Sequence, residues 1–303
     1  MSSVSGLGRP NPSEWVIRPM RPDDVAAAER LSAEGFYELD VRNHRPGLPE
    51  PEPRSASRRV AWAERTAHFL ETDPGGCWVA EDASGMVGFA TSFTRELTWC
   101  LATFAVRAGM RGRGVGRVLL HAATQHGQSC LRGMLSASDD PGAIRCYWSA
   151  GFTLHPQMFL IGAVDRSTIP IVDKVREGSA GDIELMDSLD RRTRGSAHGP
   201  DHPLMLSWWR LLVSDTSTGS GYVYTSGQRV ELLAASNRRT AARLLWAALA
   251  DAEGGVLVPH LTAANDWAID LGLTARLELH QAGYLGLRGM KPPAPYVHNG
   301  ALL

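Results

Sequence analysis

Lysine is almost missing from this chain: of its 31 basic residues only Lys174 and Lys291 are lysines. With the Ala- and Arg-rich bias around them, this points to a GC-rich bacterial genome and says nothing of function. A charge imbalance is missing too. A formal net charge of −1 over 303 residues offers no overall attraction to nucleic acid or anionic lipid, which leaves small molecules and peptides as the expected partners. Cysteine is scarce: Cys77, Cys100, Cys130 and Cys146 lie far apart without metal-ligand spacing, and read as buried free thiols. No run approaches the roughly 18 apolar residues of a spanning helix. Met1 to Pro12 lack the basic-then-apolar order of a signal peptide, so no membrane partner and a cytoplasmic location are expected.

What is present is the balance of a globular protein, 44% hydrophobic and 21% charged, at a length that suggests two domains of about 150 residues each. Residues 1–14, opening on Ser, Gly and Pro, read as a flexible tail. Val16–Met20 reads as a strand, and Val25–Phe36 has helical apolar spacing behind Asp23 or Asp24 as cap. Pro46, Pro49, Pro51 and Pro53 forbid a helix or inner strand there, so a loop precedes a second helix over Ser57–Glu71. Cys77–Glu81 and Met86–Arg95 flank the turn residues Asp82–Gly85 as a hairpin. A strand over Trp99–Val106 runs into a Gly-rich segment and a helix with Val115, Val118, Leu119 and Ala122 on one side. Leu131–Ser136 is a further strand, Pro141 opens a helix that Gly151 closes, and Met158–Ala163 is the last strand. This order describes an α/β fold with a mixed sheet.

The second half repeats the order. Val172–Asp182 resembles Val16–Asp24, Tyr222–Leu233 supplies central strands, and Ala241–Ala252 is an amphipathic helix. A displacement of 121 carries Ala143 to Ala264, Gly151 to Gly272 and Phe152 to Leu273, and a displacement of 126 superposes Arg117 on Arg243. The domains expected are 15–163 and 171–303, joined by a linker over 164–170.

The strongest chemical signal is Val106-Arg107-Ala108-Gly109-Met110-Arg111-Gly112-Arg113-Gly114-Val115-Gly116-Arg117, between a strand and a helix. Glycines at 112, 114 and 116 let the backbone turn tightly and present N–H groups to a phosphate, and the helix N-terminus adds partial positive charge. Arginines at 111, 113 and 117 suit a diphosphate. The segment lacks the Gly-Lys-Ser/Thr ending of a nucleoside-triphosphate loop and the ribose-binding acid of a dinucleotide fold. About thirty residues on stands Asp140-Pro141-Gly142-Ala143-Ile144-Arg145-Cys146-Tyr147-Trp148-Ser149-Ala150-Gly151-Phe152.

Together these two segments resemble the acetyl-CoA-binding motifs of the GCN5-related N-acetyltransferase (GNAT) family. Arg111, Gly114 and Gly116 meet its loop pattern; Ala143, Tyr147, Gly151 and Phe152 meet its following helix; Ile17–Asp24 is typical of its opening. The resemblance covers 15–163 well and 170–303 only by order and a few anchors, so it implies two GNAT-like mixed-sheet domains in tandem with a degenerate second one. It implies a splayed strand over Thr103–Val106 whose backbone, at Phe104, Ala105 and Val106, pairs with the pantetheine amides of acetyl-CoA. It further implies that Arg111, Gly112, Arg113, Gly114, Val115, Gly116 and Arg117 hold the pyrophosphate, that Ser138 adds a cofactor contact, and that Tyr147 protonates the leaving thiolate.

The family often places a glutamate on the central strand, yet Trp99–Val106 contains no carboxylate. Glu96 just before it is the first candidate base, and Glu34, Glu38 and Asp40 are candidates to line the acceptor site. At the equivalent loop positions the second half reads Arg238, Thr240 and Ala242, and Tyr147 becomes Ala268. That half is expected to pack, shape the acceptor pocket or form a homodimer. His198-Gly199-Pro200-Asp201-His202 reads as a loop, so no metal is expected; Trp208 and Trp209 read as core or interface, and Met290–Leu303 as a tail packed along a cleft. The expected activity is transfer of an acetyl group to a primary amine by direct attack. The alternative is a non-catalytic acyl-CoA sensor, favoured by the missing strand carboxylate and opposed by Tyr147.

Overall fold

The computed structural model describes residues 15–303; the tail expected over 1–14 lies outside the described residues. The chain opens on a local ion pair. Strand β1 (Val16–Pro19) runs antiparallel to β2 (Cys77–Asp82), and Arg18 at its centre binds both oxygens of Asp24 at 2.7 and 2.9 Å. Asp24 also accepts from the Arg21 amide at 2.7 Å, closing a one-turn 3-10 helix that leads into helix α1 (Val25–Asn43). The helix runs seven residues beyond the expected Phe36 and ends where Pro46 and the prolines after it bar further turns. Ser55 caps α2 (Ala56–Thr72) by accepting from the Arg58 amide.

Strands β3 (Gly85–Arg95) and β4 (Thr98–Val106) follow, then α3 (Val115–His126), β5 (Arg132–Ala137), α4 (Pro141–Ser149) and β6 (Thr153–Ala163). Asp140 caps α4 through the amides of Gly142 and Ala143. Strand β6 starts five residues before the expected Met158 because Gly151, at φ +84°, turns the chain out of α4 at once.

The second half then runs β7 (Arg176–Glu177), α5 (Ile183–Thr193), α6 (Asp201–Trp208), β8 (Arg210–Thr216), β9 (Gly219–Thr225), β10 (Val230–Ala235), α7 (Arg238–Asp251), β11 (Gly255–Leu261), α8 (Asp266–Thr274), β12 (Glu278–Arg288) and β13 (Tyr296–Val297). It opens as the first half does. Arg176 binds Asp182 through both oxygens, and Asp182 accepts from the Ser179 amide at 2.9 Å. Tandem order is thus carried down to a matching ion pair, although the strand around Arg176 is only two residues long.

There are two sheets, as the tandem fold requires. One has five antiparallel strands in the order β13-β10-β9-β8-β7; the other has eight in the order β1-β2-β3-β4-β5-β12-β6-β11. Within the eight-stranded sheet β4 and β5 are parallel, so it is mixed. Strand β12 lies between β5 and β6, pairing Leu285 with Ser136 on one side and with His155 on the other, while β6 passes its other edge to β11. Strand β6 of the first half is therefore hydrogen-bonded to β11 and β12 of the second, and β12 also to β5 of the first. Packing follows from the alternation: Leu160 of β6 is fully buried among Leu244, Leu245, Leu271 and Leu277.

The chain divides into two compact units: residues 15–92 with Thr103–His126, and Phe93–Ala102 with Gly127–Leu303. These differ from the repeat halves 15–163 and 171–303, because strand exchange places β6 and β12 in one unit. The end of the chain is built into the second unit, with β13 on the edge of β10 and Leu302 and Leu303 buried. Among the described residues no helix is long and apolar enough to cross a membrane. All four cysteines are free thiols, and burial pushes Cys77 up to about 12 and Cys100 to about 11.

Candidate functional site

The first unit contains the Gly-rich loop. Strand β4 pairs with β5 only from Thr98 with Arg132 to Leu101 with Leu135, and Ala102–Val106 lie outside that register. Phe104, Ala105 and Val106 are half-buried at this end. The chain then leaves the strand through Arg107, whose amide donates to Val87 at 2.9 Å, and is anchored by buried Met110. Arg111 folds back and donates from Nε to the Val106 carbonyl at 3.0 Å.

Gly112 and Gly114 have φ of +80° and +88°, the left-handed region where a side chain is strained, and a Cβ on either would meet nothing within 4 Å. These two glycines are required by conformation and leave open space above the backbone. Gly116 is required by approach: its Cβ would come 3.1 Å from the Phe104 ring. Gly114, without a side chain, directly precedes α3, so the first amides of that helix have no side-chain cap there. Arg111, Arg113 and Arg117 are exposed beside them. Left-handed glycines, a helix N-terminus and exposed arginines are groups that could hold a diphosphate.

Also in this unit, Arg65 of α2 stacks over Trp62 and reaches the Thr103 hydroxyl at 3.5 Å, while its Nε makes no hydrogen bond. Burial lowers it to about 10. Glu34, Glu38 and Asp40 are exposed on the second half of α1, with Glu38 3.8 Å from Arg111.

Tyr147, Glu96 and Ser138 belong to the other unit. Tyr147 on α4 is 5% exposed, and burial, then Cys146 and Asp140, hold its phenol well above the ordinary range. It is neutral throughout the physiological range. The Ser138 hydroxyl accepts weakly from the Asp140 amide at 3.5 Å, in the turn before α4. Glu96 sits at φ +52° in the β3–β4 turn; its Oε1 takes the Arg191 guanidinium at 2.7 Å and its Oε2 the Ala197 amide at 3.3 Å. Both of its oxygens are engaged.

Where the second half should repeat this machinery, the structure corrects two sequence alignments. First, α4 and α8 end in the same C-terminal turn. Phe152 donates to the Tyr147 carbonyl and Gly151 to Trp148; Leu277 donates to Gly272 and Arg276 to Leu273. Gly151 at φ +84° thus matches Arg276 at φ +65°, and the counterpart of Tyr147 is Gly272, not Ala268. The shared Gly-hydrophobic dipeptide misled the alignment, because here an arginine takes the left-handed position. Gly272 cannot carry any side chain, since its Cβ would lie 2.2 Å from Leu160.

Second, the loop is absent, and its residues are not merely exchanged. Eight residues, 107–114, separate β4 from α3, but only Ser236 and Asn237 separate β10 from α7. Asn237 caps α7 with its own side chain, accepting from the Thr240 amide at 2.9 Å. Arg238, Thr240 and Ala242 therefore lie inside the helix.

The loop expected over His198–His202 holds for 198–200, while Asp201 and His202 begin α6, and both histidines are fully buried. Nothing in their spacing shows the burial; Asp190 eight residues before, on the inner face of α5, is the missing partner.

The Gly-rich βα junction lies in a mixed α/β sheet. Residues 33–152 match the family model described as Acetyltransferase (GNAT) family. The fold of the chain is GNAT-like, with two sheets as a tandem arrangement has. No curated protein matches it. A Pyrococcus horikoshii structure provisionally assigned as an acetyltransferase is similar at TM-score 0.68 and 17% identity, over 99% of this chain and 96% of that one. A GCN5-related N-acetyltransferase from Kribbella flavida is similar at 0.58 and 19%, over 91% and 71%. A tandem GNAT protein from the clavulanic acid biosynthesis pathway is similar at 0.54 and 15%, over 91% and 98%. These identities speak for the fold alone.

Proposed function

We propose that the chain is an acetyl-CoA-dependent N-acetyltransferase that uses one cofactor loop, the one in its first half. The observation that carries this is the conformation of residues 107–114, where Gly112 and Gly114 are left-handed under open space and Gly114, without a side chain, directly precedes helix α3. In this reading the amides of Gly112–Arg117 hold the pyrophosphate and Arg111, Arg113 and Arg117 neutralise it. Phe104, Ala105 and Val106, beyond the β4–β5 register, offer main-chain groups to the pantetheine amides, and Ser138 adds a contact.

A neutral primary amine attacks the thioester carbonyl, the C–N bond forms, and the C–S bond breaks as the tetrahedral intermediate collapses. Tyr147 donates its proton to the departing thiolate; burial keeps that proton on the phenol until a strong acceptor arrives. The amine proton leaves to water or a base. Glu96 is the carboxylate nearest the start of β4 in sequence, and its engagement by Arg191 and Ala197 favours a structural role over that of the base. Arg65, with one guanidinium nitrogen uncommitted beside Thr103, supports an acceptor bearing a carbonyl or carboxylate, and Arg65→Met would then raise the KM for acceptor while sparing that for acetyl-CoA. Residues 171–303 act as the degenerate partner domain.

Calorimetric titration with acetyl-CoA, beside the double variant Gly114→Glu/Gly116→Glu, tests the proposal. One site per chain, lost in a variant that melts at the wild-type temperature, supports it. Equal binding by a folded variant sinks it.

A further inference from the structure

Helix α5 and the turn into α6 bring three donors together inside the second unit, with a fourth, Asp187, beside one of them. Asp187 and Asp190, three apart on one face of α5, meet His198 from the turn and His202 from the first turn of α6. Donor atoms of Asp190, His198 and His202 all lie within 4.8 Å of one another, and the three side chains are fully buried. Asp190 Oδ2 is 2.7 Å from His198 Nδ1 and 3.2 Å from His202 Nε2, and Asp187 Oδ1 is 3.4 Å from His202 Nε2.

The outward-facing atoms decide what the inner ones can be. His198 Nε2 lies 3.1 Å from the Leu302 carbonyl, which can only accept, so Nε2 carries a proton. In the neutral ring Nδ1 is then a lone pair aimed at a carboxylate oxygen. His202 Nδ1 faces the Tyr224 hydroxyl at 3.2 Å, and its Nε2 faces the carboxylates of Asp190 and Asp187 at 3.2 and 3.4 Å. The His198 lone pair needs a positive centre between itself and Asp190.

We propose that Asp187, Asp190, His198 and His202 bind one zinc ion as a closed structural site fastening α5 to α6. A divalent ion balances the two carboxylates and supplies the positive centre. Two imidazole nitrogens and two carboxylates suit zinc, whose tetrahedral bonds of about 2.0–2.2 Å require donor separations of roughly 3.3 Å. The outer contacts have the form that orients metal ligands: the Leu302 carbonyl accepts from His198 Nε2, the Tyr224 hydroxyl faces His202 Nδ1, Tyr222 donates to Asp190 Oδ1 at 2.5 Å, and the Gly199 amide donates to Asp187 at 2.9 Å. With Asp190, His198 and His202 fully buried, the role is to hold structure.

The test is zinc content and thermal melting of the full chain, with zinc chloride as the only added ligand. The expected result is one zinc per chain surviving dialysis, and a melting temperature that falls on chelation and recovers with zinc but not magnesium. Because Asp190→Asn may not fold, the part-exposed Asp187→Asn serves as the second variant and is expected to bind zinc at least tenfold more weakly. A wild-type chain that retains no zinc and melts unchanged with it overturns the site, as does an Asp187→Asn/His202→Gln variant that folds and still binds one zinc as tightly. Neither outcome depends on acetyl-CoA, so this site and the cofactor loop stand or fall separately.

Discussion

The two strand-to-helix junctions, β4 to α3 and β10 to α7, are the same fold element put to opposite uses. In the first, eight residues intervene, two left-handed glycines turn the backbone, and the helix begins without a side-chain cap. In the second, two residues suffice and Asn237 satisfies the helix from within. Amides that could meet a phosphate in one half are occupied by the protein itself in the other. In the proposed reading the binding site is a helix end whose cap position carries no side chain and which water or a ligand completes, and losing the site means capping the helix.

The contrast is most sharply broken by ligand stoichiometry. Gly114→Glu/Gly116→Glu is expected to weaken acetyl-CoA binding by more than 10³-fold, about 4 kcal/mol, leaving no site on the chain; residual one-site binding would assign the cofactor to the second half. Next comes Tyr147→Phe, expected to lower kcat by roughly 10²-fold, about 2.7 kcal/mol, with little change in acetyl-CoA affinity. Unchanged turnover would remove Tyr147 from the chemistry and revive the sensor reading. At its counterpart, Gly272→Ala should cost about 1–3 kcal/mol in denaturant unfolding, because the new Cβ drives into fully buried Leu160.

The opening ion pairs test how deep the similarity runs. Hydrogen bonding to Arg18, and to Arg176, holds Asp24 and Asp182 below the ordinary carboxylate range, against the upward push of burial. A depressed carboxylate stabilises the fold fully above its unfolded pKa of about 4 and loses that contribution as pH falls further. Asp24→Asn and Asp182→Asn should therefore each cost about 0.5–1 kcal/mol at pH 7, after solvent screening, with the gap to wild type closing below pH 4. A penalty that persists at pH 3 would assign the effect to the cap and not to the charge. The smallest effect is expected at Arg276, where glycine relieves a left-handed arginine: Arg276→Gly should stabilise by about 0.5–1 kcal/mol, and a loss would show that the side chain contributes more than its backbone strain costs.

The sequence made the loop legible because its signal is local. Three glycines, flanking arginines and Tyr147 thirty residues on occupy fixed places relative to a strand and two helices, so pattern and geometry coincide. The repeat was legible in order but not in register: Gly151 and Gly272 look equivalent in a string, whereas the hydrogen bonds of the two helix ends pair Gly151 with Arg276. The shortened β10–α7 junction was hidden for the same reason, since Arg238, Thr240 and Ala242 read as replacements until helix α7 is seen to begin at Arg238. The Asp190, His198 and His202 cluster depends on burial and on Leu302, Tyr222 and Tyr224, contacts made across 22 to 104 residues of chain that no local pattern encodes. Strand exchange is the extreme case, because β6 and β12 could each have paired at home without any change in their alternation.

That exchange carries a meaning for how such a chain could arise. In the first half β5 takes its neighbour β12 from the second, and in the second half β11 takes its neighbour β6 from the first, so neither half is a complete object. Two separate copies joined in this way would be a swapped homodimer whose existence depended on concentration. Joined by residues 164–170, the same pairing becomes a property of one molecule and persists at any dilution. Once the two copies are inseparable, one of them can cap its helix and close its loop while the other keeps the chemistry.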